Sequence, residues 1–89
     1  MPEYLNTGSI VKATYGREKG EIFIITKRIG DYVYLTNGKS RPIEKPKKKN
    51  IKHIYLLNKD ILKDIDLTNL TNAHMIKYLK DYNKSKDYK

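Results

Sequence analysis

Between positions 8 and 57 the chain is cut into short runs of four to seven residues, rich in Ile, Val and Tyr and separated by Gly, Asn, Asp and Pro. Runs of that length suit strands closed by turns and are too brief for helices, so this stretch predicts an all-β unit. The pattern places strands near Ser9 to Thr14, Glu21 to Lys27, Asp31 to Thr36 and Lys52 to Leu57, with a short edge segment at Lys39 to Ile43. Gly30 and Asp31 supply a turn between the second and third strands. Asn37-Gly38 is the strongest hairpin signal, because both central positions of a type I′ turn need positive φ. Pro42 and Pro46 cannot donate to a ladder, which puts their segment first at an edge and then in a loop.

The second strand is apolar on both faces, Ile22 and Ile24 opposite Phe23 and Ile25, as expected of a central strand that curls with a barrel. In the third, Val33 and Leu35 alternate with Tyr32, Tyr34 and Thr36. After Leu57 the pattern changes. "NKDILKDIDLTNLTN" disperses Ile61, Leu62, Ile65, Leu67 and Leu70 among aspartates and reads as a connector that packs down at several points. From Thr71 the period is helical: Met75, Ile76, Leu79 and Tyr82 share a face, Thr71 or Asn72 is the N-cap, and the helix should end near Asn83, before a charged tail. The expected organisation is a small barrel over residues 1–57, followed by a connector and helix over 58–89 that pack on it.

With 89 residues and no cysteine, the chain has one domain's worth of core and neither a disulfide scaffold nor a zinc ribbon. "MPEYLNTG" lacks the basic start and apolar run of a signal peptide, and the longest unbroken apolar run, Ile22 to Ile25, is far short of a bilayer span; a cytoplasmic location is expected. The formal net charge is +9. Residues 39–52 carry +6 of it, from seven basic residues against Glu44. The preponderance of Lys among the basic residues, together with many Ile, Asn and Tyr, is what an AT-rich genome writes on any surface. Such a bias does not explain the concentration in one segment, which points to a polyanionic partner.

The stretch "GSIVKATYGREKGEIFII" resembles the KOW motif, a β-hairpin and loop: Gly8 opens the strand, Ile10 and Val11 follow, "GREKG" forms the loop, and Ile22 to Ile25 lie beyond it. With "TNGKSRPIEKPKKKNIKHI" the resemblance narrows to large-subunit ribosomal proteins with an SH3-like KOW domain and to small bacterial KOW-domain RNA-binding proteins. In that group a turn leads into an Arg-containing edge segment, a Pro-Lys-rich loop and a strand beginning near a Lys-His pair, here Lys52-His53. The resemblance covers about residues 8 to 57, and the chain lacks the long extensions of large ribosomal members. It implies a mainly β, SH3-like barrel, on which the helix read from the period after Thr71 would pack, binding RNA, most naturally ribosomal RNA of the large subunit, without a cofactor and as a monomer.

The residues support that expectation on their own terms. Gly16 and Gly20 let the chain reverse and let backbone approach a partner. Arg17 offers a planar fork for a phosphate and Lys19 a point charge beside it. "KPKKKN" has nothing apolar to bury and reads as a cationic spur whose entry is stiffened by Pro42 and Pro46. The candidate RNA-binding set is therefore Tyr15, Gly16, Arg17, Lys19, Gly20, Arg28, Lys39, Arg41, Lys45, Lys47, Lys48, Lys49 and Lys52. The plainer alternatives are a solvated hairpin tip for "GREKG" and a disordered solubilising loop for "KPKKKN". Tyr32 and Tyr34 either stack on bases or pack beneath the helix, whose Met75, Ile76 and Leu79 need an apolar partner; Tyr15 is the better aromatic contact of the three.

His53 and His74 are too few and too isolated for a metal site, which needs three or four convergent ligands. No phosphate-binding loop, nucleophile elbow or carboxylate pair in a cleft-forming context is present, so no enzymatic activity is expected. The rival reading is a protein-interaction module of a transcription or translation complex, its basic loops serving solubility.

Overall fold

Four of the short runs become strands, and a fifth strand forms in the Lys-rich segment. The computed structural model describes residues 7–58 and 70–87. Within them lie β1 (Ile10–Ala13), β2 (Ile22–Ile29), β3 (Tyr32–Thr36), β4 (Lys47–Asn50), β5 (Ile54–Asn58) and one helix, α1 (Asn72–Asp87). All strand pairs are antiparallel, in the order β4-β3-β2-β1-β5. The doubly apolar β2 is central, as its sequence requires.

Strands β4 and β5 are consecutive in sequence yet occupy opposite edges, and only the 3-10 turn Ile51–His53 joins them. In a flat sheet those edges would lie about 19 Å apart, at roughly 4.8 Å per strand spacing. A three-residue turn does not span that distance, so the sheet curls until its edges approach. Asn50 holds the turn, its side-chain oxygen accepting from Lys52 N at 2.9 Å.

Curling separates two apolar clusters. Val11, Ala13, Phe23, Ile25, Val33 and Leu35 fill the inside, with Ile51, Ile54 and Leu56 packed against them. On the outer face Ile10 and Ile24 meet Met75 and Leu79 of α1, flanked by Ile22, Ile43, Leu57, Leu70, Tyr78 and Tyr82. Met75 is fully buried, a contribution of about 2 kcal/mol. The helix thus docks on the sheet through the face its periodicity marks.

Thr71 caps the helix: its hydroxyl accepts from His74 N, while His74 Nδ1 accepts from Thr71 N at 3.1 Å, a reciprocal pair in which His replaces the usual Glu. Asn72 turns to another task. Its Oδ1 accepts from Ile43 N at 2.7 Å and its Nδ2 donates to Glu44, which ties the start of α1 to the loop before β4. The helix runs to Asp87, past the expected end near Asn83, because no Gly or Pro stops it there.

Three expectations are corrected. The "KPKKKN" segment is not a projecting spur, since its Lys47–Asn50 part is β4, hydrogen-bonded along β3. Lys39 to Ile43 is not an edge strand, and Asn37-Gly38 does not close a two-residue hairpin. Both belong to the loop 37–46, in which Asn37 Oδ1 accepts from Lys39 N and Arg41 N and so bends the backbone over its own side chain. Gly38, at φ +79°, lies so near α1 that a Cβ would come within 2.4 Å of the Asn72 carbonyl oxygen. By contrast Gly30-Asp31 does turn β2 into β3. The expected packing of Ile61, Leu62, Ile65 and Leu67 lies outside the described residues; Leu70 joins the outer cluster.

Candidate nucleic-acid interface

The "GREKG" loop is folded inward at its middle residue. Lys19 N donates to Gly16 O at 3.2 Å, Glu21 N to Glu18 O at 2.9 Å, and Gly20 N back to Ala13 O at 2.9 Å. Gly16 and Gly20 adopt φ +83° and +92°, which side chains resist. The reversal leaves Arg17 and Lys19 exposed and Glu18 only 9% exposed.

Glu18 gathers two of the predicted RNA-binding cations. Arg41 Nη2 donates to its Oε2, and Lys49 Nζ lies 3.5 Å from its Oε1. Lys49 Nζ also donates to the Tyr15 carbonyl at 2.9 Å. Lys49 pairs with Val33, an inward position, so alternation along β4 sends it inside while Lys48 points out. Arg41's hydrogen bond, reinforced by the charges of Arg41 and Lys49, holds the Glu18 carboxyl below the ordinary glutamate range, against the opposing effect of burial. Gly16 serves the same node through its positive φ, which brings the chain back over Lys49 Nζ; a Cβ there would lie 3.4 Å from that nitrogen, an ordinary contact.

Beside this node Tyr15 and His53 stack, ring centroids 4.6 Å apart and planes 12° from parallel. Thr14 N donates to His53 O at 2.8 Å, which pins the loop to the turn before β5. Tyr15 is 63% exposed, so the stack presents one open aromatic surface. Tyr15, Gly16, Arg17, Glu18, Arg41, Lys47, Lys49 and His53 line a single open concavity.

The other predicted residues are dispersed. Gly20 and Lys39 border a second concavity with Lys12, Lys80 and Asn83 beneath the helix. Lys45 and Lys52 are exposed. Arg28 is at the far end of β2, its Nε donating to Gly30 O at 3.1 Å, and Lys48 is over the ring of Tyr32. Glu18 and His53 were absent from the predicted set. The acidic residue between two basic ones was the available signal for Glu18; no local signal marks the Tyr15–His53 stack, which forms across the fold.

Among the described residues no cluster of His, Asp or Glu could hold a metal ion, and no helix is long and apolar enough to cross a membrane. No family model matches the chain, and no curated protein matches its sequence.

Proposed function

We propose that the chain is a non-enzymatic RNA-binding protein of the KOW type, its curled sheet an SH3-like barrel, acting in the cytoplasm as a monomer on ribosomal RNA of the large subunit. The observation that carries the reading is the concavity in which the Tyr15–His53 stack adjoins Arg17 and Lys47. Cations beside an exposed aromatic surface suit a phosphate and its neighbouring base or ribose. The short link between the edge strands favours barrel closure.

Arg41 and Lys49 act here as supports. Tied to Glu18, they fix the loop that presents Arg17 and Lys19, and the affinity comes from the cations left exposed around it. If about five phosphates are neutralised, log K falls against log salt with a slope of about −3.5 to −4.5. The test is co-sedimentation with ribosomes from the protein's own cell, on sucrose gradients at low and then moderate salt. The proposal requires protein in the large-subunit peak, diminishing as salt rises; protein at the top of the gradient even at low salt refutes the ribosomal assignment.

A protein-interaction module is the second reading, favoured by the exposure of Ile29, Tyr32 and Tyr55. It predicts capture of a protein partner that is insensitive to Arg17 and Lys47.

A further inference from the structure

The outer sheet face beyond the helix carries a second arrangement of aromatic and cationic groups. Tyr32 and Tyr34 share that face, opposite the inward Val33 and Leu35, and neither belongs to the cluster closed by α1. Lys48 pairs with Tyr34 across β3 and β4, and its Nζ lies 4.7 Å from the centroid of the Tyr32 ring. Lys27 pairs with Tyr34 from the other side, Nζ 5.9 Å from that ring. A register shift between Ile25 and Lys27 brings Lys27 outward; unbroken alternation from Phe23 and Ile25 would have turned it to the inside.

We propose that Tyr32 and Tyr34 form a stacking platform for unpaired bases of a single-stranded RNA segment, with Lys27 and Lys48 taking the flanking phosphates. The inference shares its class of partner with the preceding reading but concerns a different face. Residues two apart on a strand are about 6.6 Å apart, so the two rings can receive successive bases of an extended strand. In the free protein each ammonium group rests against a ring, satisfying the negative ring face. On binding, the ammonium moves to a phosphate and the base takes its place. Charge decides between RNA and a neutral apolar partner: the residues of β2, β3 and β4 that share this face include Lys27 and Lys48 and no acidic one.

The test compares a labelled twelve-nucleotide oligouridylate with a twelve-base-pair RNA duplex. Replacing Tyr32 and Tyr34 by Ala should weaken the single strand by about tenfold or more while leaving the duplex unchanged. Tyr32→Phe should retain binding, and Tyr32→Ala alone, at a position 42% exposed, gives the same contrast without disturbing the core. Equal losses on both RNAs, or no loss on the single strand, overturn the platform; duplex binding that still weakens with Arg17→Ala leaves the loop reading intact. Wild-type protein that binds neither RNA at low salt removes both proposals. Tyrosine-dependent binding of polyglutamate in place of oligouridylate overturns the platform in favour of an acidic protein partner.

Discussion

Arg41 donates a hydrogen bond to Glu18 across 23 residues of sequence, from the loop before β4 to the turn between β1 and β2. This bond, with Lys49 on the second carboxylate oxygen, turns a glycine-bounded hairpin tip into a fixed scaffold. It follows that the basic residues of this region have two physical roles, and that substitution separates them.

Glu18→Gln should destabilise the fold although it removes an acid from a strongly basic protein. It leaves Arg41 and Lys49 facing each other without a counter-charge. The expected cost is about 1–2 kcal/mol, below the value for a fully buried pair because the Arg41 side chain is 34% exposed. Urea unfolding measures it, and a midpoint equal to or above the wild type would contradict the assignment.

The same carboxylate sets an acid limit. Its folded pKa lies below the ordinary glutamate value, so its stabilisation is complete above the ordinary glutamate range and is lost as pH falls through the lowered folded value. The stability gap between wild type and Glu18→Gln should be constant near neutrality and close progressively below about pH 4.5. A gap that persists undiminished at pH 3 would show that Glu18 acts through packing alone.

Gly38→Ala and Gly30→Ala both place a Cβ at positive φ, but only the first meets a neighbour, the Asn72 carbonyl. Gly30→Ala should cost about 1 kcal/mol for backbone strain alone. Gly38→Ala should exceed it by at least about 1 kcal/mol, because the helix must shift or the loop must open. Thermal melts of the two variants make the comparison, and equal losses would argue against tight docking of α1.

Arg17→Ala with Lys47→Ala should weaken RNA binding about tenfold or more and reduce the magnitude of the salt slope by about 1.5–2, at roughly one phosphate per cation. Melting temperature should stay near the wild type, since Arg17 is exposed and Lys47 only half-buried. An unchanged slope would take these two residues out of the interface.

The local signals read well where a short rule sufficed. Alternation in "YVYLT", the doubly apolar "IFII", the turn at Gly30-Asp31 and the spacing of Met75 and Leu79 each depend on neighbours within one or two turns of chain, and each took its expected place. Composition alone marks the Lys-rich run as solvated and hides its strand. Its strand character comes from β3, whose backbone groups it pairs, and the inward aim of Lys49 is tolerated because Glu18 and the Tyr15 carbonyl meet the ammonium there.

Sequence by itself therefore determined four of the five strands, which of their faces are apolar and that positive charge is concentrated before β5. Tertiary structure alone decided which of those charges stay outside. The curl of the sheet brings Glu18 to Arg41 and Lys49, stacks Tyr15 on His53 and, through one register shift, carries Lys27 to Tyr34. These are contacts between residues distant along the chain, and their energies depend on burial and geometry that no local pattern encodes.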